Sequence, residues 1–194
     1  MDQLVEIKSK MQINPSRVGK KYFVKTFGCQ MNEHDSERIS GMFELDGMSK
    51  AISEEYADVL FVNTCTIREN ADDKLYGTLG QLKQWKLQKD NRKLLVGGCA
   101  AQKDKELVRE KAPWVDVVIG THNLTNVVDL LNRSEDWGPL TEIIDEIETL
   151  PTEAPSIRES EYSAWLTIQI GCNNSCTFCI VPSVRGEEIG RRPS

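Results

Sequence analysis

The clearest pattern of a buried strand is the stretch Val59-Leu60-Phe61-Val62-Asn63-Thr64-Cys65. Its first four residues are apolar without alternation, which is typical of a parallel strand buried on both faces. Similar runs predict strands over residues 22–27, 93–99 and 115–120, with a weaker strand over 48–52. Helical patterns lie between them, over residues 32–46, 70–89, 104–111 and 123–131. Alternating buried strands and helices predict an α/β fold with a parallel sheet and flanking helices.

Three of the predicted strands are followed directly by a cysteine. Cys29 comes after Gly28, Cys65 ends the stretch above, and Cys99 comes after Gly97 and Gly98. In a doubly wound, flavodoxin-like sheet of strand order 2-1-3-4-5, these are strands one, three and four, which are neighbours at the ligand-binding edge. We therefore predict that these edge cysteines hold one metal cluster. The alternative is three separate buried thiols, because free cysteine also serves as a small apolar residue.

A second set of cysteines lies in one loop, Gly171-Cys172-Asn173-Asn174-Ser175-Cys176-Thr177-Phe178-Cys179, after a predicted strand over 165–170. Three thiolates at C-x3-C-x2-C spacing can hold three corners of a four-iron, four-sulfur cube, which leaves one iron open. A small molecule with amino and carboxyl groups can chelate such an iron. The alternative is structural zinc, but zinc sites usually combine two pairs of Cys or His ligands. The chain's two histidines, His34 and His122, are distant in sequence from this loop, so neither is a nearby fourth ligand.

Composition and length bound the class of protein. The 194 residues are 39% hydrophobic and 28% charged, which suits a packed core. No apolar run approaches the ~18 residues of a membrane span, and the first residues lack the apolar block of a signal peptide. We therefore expect a cytoplasmic protein with no membrane partner. In reducing surroundings its six cysteines are expected to be metal ligands rather than disulfides.

Charge is unevenly distributed along the chain. The net charge is −6, and residues 134–163 contain nine acidic residues and a single arginine. That stretch is typical of a solvated linker. We predict a polar tail over residues 1–19, a cluster-bearing domain over 20–133, an acidic linker over 134–161 and the start of a second domain over 162–194. No basic patch indicates nucleic-acid binding by these residues alone.

The sequences around the cysteines resemble the motifs of the methylthiotransferase family of radical S-adenosylmethionine (SAM) enzymes. Residues 26–32, 63–71 and 97–100 are similar to the three cysteine motifs of its N-terminal domain, and residues 171–186 are similar to its radical SAM entry. The continuation Ile67-Arg68-Glu69 resembles the MiaB branch, which acts on isopentenyladenosine beside the tRNA anticodon. The RimO branch, which acts on a ribosomal protein, usually differs there.

The resemblance implies two [4Fe-4S] clusters and SAM as cofactors. Cys172, Cys176 and Cys179, the loop cysteines, would bind the cluster that cleaves SAM, and the resulting radical would abstract hydrogen from adenine C2. The edge cysteines would bind an auxiliary cluster that carries or donates the sulfur. The resemblance also implies a tRNA substrate, an electron donor such as flavodoxin or ferredoxin, and a monomer. No catalytic side chain is predicted.

Family members are longer than this chain. Residues 162–194 match only the start of the radical SAM α/β barrel, and the SAM-binding glycine motif and RNA-binding domain would lie beyond them. We expect a fragment that is not competent alone. Arg185 is expected to contact SAM or substrate, or else to lie at the surface. Two alternatives stay open: the same chemistry on a ribosomal protein or another modified adenosine, and a non-catalytic iron–sulfur module.

Overall fold

A computed structural model describes residues 14–66, 71–146, 155–158 and 160–191. Within these residues, six parallel strands form one sheet in the order β2-β1-β3-β4-β5-β6. The strands are β1 (Lys21–Thr26), β2 (Ser49–Lys50), β3 (Val59–Thr64), β4 (Lys93–Gly98), β5 (Val117–Ile119) and β6 (Leu140–Glu142). The predicted α/β class and the order 2-1-3-4-5 are confirmed, and β6 extends the sheet. The continuation Ile67-Arg68-Glu69 lies outside the described residues.

Helices cover both faces of the sheet. They are α1 (Gln30–Leu45), α2 (Ala71–Leu87), α3 (Cys99–Asp104), α4 (Leu107–Lys111), α5 (Val127–Trp137) and α6 (Val181–Arg185). Leu94 and Val96 of β4 pack in one core with α2, α3 and α4. Leu95 points the other way and packs with α1 and α5. All six residues of β3 are buried, which confirms that the apolar run starting at Val59 forms a strand covered on both faces.

The structure departs from the predicted elements at the far edge of the sheet. The helix predicted to end at residue 131 continues to Trp137, and β6 follows inside the predicted acidic linker. The main chain of β6 is paired, because Leu140 N donates to Asp116 O at 2.8 Å. The acidic side chain of Glu142 is bound by Arg133 at 2.6 Å. Counting charges assigned these residues to a linker and therefore missed β6. The division of the chain into domains stays a prediction.

Residues 160–191, called the second unit below, contain a separate two-stranded sheet. A two-residue strand, β7 (Gln169–Ile170), pairs with β8 (Ile189–Gly190) in antiparallel orientation. The strand predicted over 165–170 is thus limited to its last two residues, and Leu166 and Ile168 are exposed. A barrel is not seen in this part of the chain. Among the described helices, none is long and apolar enough to cross a membrane.

Candidate metal centre at the sheet edge

The edge cysteines lie at the carboxyl ends of three adjacent strands, as predicted. In the parallel register Thr64 pairs with Gly98, so Cys65 and Cys99 follow the last paired residues of β3 and β4. Neighbouring strands run about 4.8 Å apart, which places these two residues side by side. Cys29 follows β1, whose register with β3 is extended by the bond from Phe27 N to Asn63 O at 2.8 Å. One edge of the sheet therefore carries all three thiols.

A buried pair of asparagines fixes the backbone that carries these thiols. Asn32 and Asn63 are both fully buried. Asn32 Nδ2 donates to Asn63 Oδ1 at 2.9 Å and to Thr64 O at 3.1 Å. Asn63 Nδ2 donates in return to Asn32 O at 2.9 Å. The pair ties the start of α1, next to Cys29, to the end of β3, next to Cys65.

Asn32 lies in the first turn of its helix and not at the helix start where the sequence pattern placed it. The helix begins at Gln30 with Cys29 as the N-cap residue. Asn32 Oδ1 instead accepts from Cys29 N at 3.4 Å, the return bond expected at the third position of a capping box. Its amide group is free to reach across to Asn63, which explains the difference.

Gly98 brings two strand ends into close approach. Its φ is +92° and its ψ −166°, a conformation that is essentially limited to glycine. A Cβ atom built there would lie 2.5 Å from both Asn63 Oδ1 and Thr64 O. Thr64 Oγ1 also donates to Gly97 O at 2.7 Å. Glycine therefore lets the segment before Cys99 pack directly on the segment before Cys65.

The donor set at this edge fits an iron–sulfur cluster. Thiolates are the usual ligands of such clusters, and Cys65 lines a cavity of about 270 Å³ together with Gly28, Glu33 and Lys74. Cys65 and Cys99 are buried and Cys29 is half-buried. As the side chains stand, no three His, Cys, Asp or Glu groups of the described residues lie close enough together to hold one metal ion. The ligand set therefore remains a prediction, supported by topology and chemistry.

Cys99 sits in a charged environment that the sequence did not reveal. Burial raises the pKa of the Cys99 thiol, and Arg185 opposes that rise because its Nε donates to Cys99 Sγ at 3.3 Å. The sulfur of Cys65 is near enough to add to the rise. Burial disfavours the charged form of Arg185, but Asp35 and Cys99 outweigh it and raise the pKa of the guanidinium above its usual value.

The loop cysteines lie near the surface of the second unit. Cys172 is half-buried, and Cys176 and Cys179 are exposed. Cys172 N donates to Gly186 O at 3.2 Å, and Cys179 N donates to Cys176 O at 3.2 Å. These bonds turn the loop back on itself. Accessible thiols in a turned loop suit an open cluster, and their ligand role stays a prediction.

The two histidines link the second unit to the sheet domain rather than lying free at the surface. His34 Nδ1 shares a hydrogen bond of 2.7 Å with Thr167 Oγ1. His122 is half-buried, and its Nε2 has no hydrogen-bond partner among the described residues. A Cβ built at Gly186 would approach its Cε1 to 3.2 Å. Burial is the main reason that both histidines have a lowered pKa; Arg38 adds to it at His34 and Arg185 at His122.

Sequence reasoning missed the side chains that support the thiols. The asparagine pair, Asp35 and the burial of Arg185 follow from contacts between distant parts of the chain. A polar residue directly after a fully apolar strand, as at Asn63, is the one local signal that pointed to such a role. The expectation that Arg185 lies at the surface is wrong, because its side chain is buried against a predicted ligand. Its contact with SAM or substrate stays a prediction.

The fold and the site together define an α/β domain with thiols gathered at the ligand-binding edge of a doubly wound parallel sheet, followed by a second three-cysteine loop. The family described as "Uncharacterized protein family UPF0004" matches residues 21–120. That match covers the whole sheet up to the end of β5, and the chain belongs to this family.

Curated relatives extend the match beyond the sheet. Each of three relatives is named "tRNA-2-methylthio-N(6)-dimethylallyladenosine synthase". The one from Tropheryma whipplei (strain Twist) is 57% identical over 173 residues, which is 89% of this chain and 37% of the relative. Those from Corynebacterium jeikeium (strain K411) and Corynebacterium urealyticum are 54% and 50% identical over 92% and 96% of this chain, and 35% of each relative is covered. The chain thus spans about a third of their length, and the resemblance to methylthiotransferases is confirmed.

Proposed function

We propose that this chain forms the cluster-bearing part of a radical SAM methylthiotransferase that inserts a methylthio group at C2 of N6-isopentenyladenosine beside the tRNA anticodon. In this proposal the edge cysteines hold an auxiliary [4Fe-4S] cluster. The loop cysteines hold the [4Fe-4S] cluster that binds SAM, at the start of a radical SAM barrel. When bound, these cofactors supply the hydrogen abstraction and the sulfur transfer, chemistry that lies beyond side-chain acids and bases.

The observation that carries the proposal is that residues 29, 65 and 99 each follow one of three adjacent parallel strands and so lie along one edge of the sheet. A structural role does not require three strand ends in a row to finish in cysteine. Support also comes from the relatives, whose printed name describes methylthio transfer on a dimethylallyladenosine of tRNA. The MiaB-like residues 67–69 favour the same substrate.

The chain's own residues hold and orient the donors. Asn32 and Asn63 hold the backbone next to Cys29 and next to Cys65 in a fixed position. Arg185 places a positive charge at Cys99 Sγ, which favours the anionic sulfur that a metal needs. The surrounding strand ends are buried, which limits the access of water to the site.

The remaining expectations are part of the proposal. The substrate is tRNA, and its contacts are made mainly outside the described residues, because these residues carry no basic surface signal. An electron donor of the flavodoxin or ferredoxin class, a monomeric state and a cytoplasmic location complete it.

A chimera tests the proposal. The 173 matching residues of the Tropheryma whipplei relative are replaced by this chain, and the hybrid is produced in cells that lack 2-methylthio nucleosides. Nucleoside mass spectrometry of their tRNA is expected to show the methylthio form of isopentenyladenosine. Separate Cys99→Ala and Cys176→Ala hybrids should lose it, while an exposed control, Asn91→Ala, should keep it.

Other products would redirect the proposal. Methylthiolation of a ribosomal protein, with tRNA unmodified, would place the chain in the other branch. No product from the hybrid, while the intact relative is active in the same cells, would contradict the proposed function.

A further inference from the structure

A buried arginine joins the second unit to the sheet edge. Arg185 is the last residue of α6 and only 4% exposed. Its Nη1 lies 2.8 Å from Asp35 Oδ2 on α1, and its Nε lies 3.3 Å from Cys99 Sγ at the start of α3. One side chain therefore touches two elements of the sheet domain at once, and one of these contacts is a predicted cluster ligand.

Neighbouring contacts extend the same junction toward the loop cysteines. Thr121 Oγ1 donates to Val184 O at 2.6 Å. Gly186, the next residue after Arg185, has a φ of +73° and accepts from Cys172 N at 3.2 Å. The junction thus leads in three short steps from Cys99, through Arg185 and Gly186, to Cys172.

Among the described residues, Asp35 is the one carboxylate paired with Arg185. Asp35 also lies 4.0 Å from Arg38 Nη1, so two guanidinium groups share one carboxylate. Arg185 Nη2 is buried and has no hydrogen-bond partner in the part of the chain that the structure describes. A buried charge is costly unless it is paired, and arginine stays protonated in proteins. The excess positive charge faces the Cys99 sulfur, and an anionic sulfur there would complete the balance.

We propose that Arg185 is a positioning residue that docks the segment after the loop cysteines against the sheet and directs its charge at Cys99, so that the two cysteine sites are held as one unit. The docking role requires no metal. The sulfur role rests on the proposed function, because it concerns a cluster at the edge cysteines.

Protease protection of the metal-free chain tests docking. Glu187 and Glu188 are exposed directly after the junction, so a glutamate-specific protease reports undocking there. Breaking a buried pair is expensive, and we expect Arg185→Met to speed cleavage at least about tenfold. The exposed control Arg191→Gln should match wild type, and Arg185→Lys, which keeps the charge, should recover most of the protection. Equal cleavage of wild type and Arg185→Met, with both chains folded by circular dichroism, would overturn docking.

The reduction potential tests the sulfur role. Chains with all three loop cysteines changed to alanine are loaded anaerobically with iron and sulfide. A hydrogen bond to a ligand sulfur and a nearby positive charge raise a cluster's potential, so Arg185→Met should lower the midpoint potential and Arg191→Gln should not. An unchanged potential would overturn the sulfur role. Failure to bind iron would overturn that role together with the proposed function, and the protease result would still decide docking.

Discussion

Replacing Gly98 with alanine is expected to damage the sheet edge more than its small size suggests. The φ of +92° and ψ of −166° at this residue cost a non-glycine residue about 1–3 kcal/mol. The added methyl group would also lie 2.5 Å from Thr64 O, a backbone atom that cannot move aside. Overpacking of this kind costs a further ~1–3 kcal/mol. The total loss in unfolding free energy is therefore about 2–6 kcal/mol.

Gly138 offers a matched control for the energetic cost of the backbone conformation. Its φ of +89° and ψ of −173° are nearly the same, and a Cβ there would meet no atom within 4 Å. Gly138→Ala should therefore cost only the conformational part, about 1–3 kcal/mol. The difference between the two variants isolates the contact of Gly98 with the end of β3.

Urea unfolding followed by circular dichroism measures both variants against wild type. Because small proteins are stabilised by about 5–15 kcal/mol in total, Gly98→Ala should shift the midpoint strongly, and clearly more than Gly138→Ala. Equal midpoints for the two variants would refute the close approach of the strand ends, and with it the structural reason for glycine before Cys99.

Two further predictions concern the buried polar groups. Asn32→Ala leaves Asn63 Oδ1 and Thr64 O without the donor they have in wild type, and should lower the unfolding free energy by about 1–3 kcal/mol. Urea unfolding measures this loss against the exposed control Asn91→Ala. Equal losses in the two variants would contradict the prediction. The lowered pKa values of His34 and His122 mean that folding favours the neutral rings. The folded state therefore has its full stability above pH 6.5, the ordinary pKa of histidine, and loses stability as the pH drops toward the lowered pKa values. Melting temperatures measured from about pH 7.5 to about pH 5 should fall less steeply in His122→Gln than in wild type, and parallel curves would contradict the burial of that ring.

The sheet and its cysteines were predictable because their signals are local. An apolar run such as residues 59–62 is long enough to mark a buried strand, and a cysteine directly after it needs no further context. Strand order then followed from the general rule for doubly wound sheets. The fold class and the grouping of the edge cysteines at one edge therefore came from short stretches of sequence.

The supporting contacts were not predictable because they join distant residues. Asp35 and Arg185 are 150 positions apart, and no spacing rule connects them. β6 was hidden for another reason: its three residues lie in an acidic stretch, and its one acidic residue, Glu142, is paired with Arg133 from the preceding helix. The strand predicted over 165–170 is limited to Gln169–Ile170, and apolar residues before it such as Ile168 are exposed.

We propose that the chain holds two separate iron–sulfur clusters, one on each set of cysteines. The most direct test is iron and sulfide analysis with Mössbauer spectroscopy on the chain after anaerobic loading. About eight irons are expected in wild type, and about four in each of two variants, one with the edge cysteines and one with the loop cysteines changed to alanine. Full iron content in either variant, or zinc in place of iron in wild type, would contradict two separate iron–sulfur clusters.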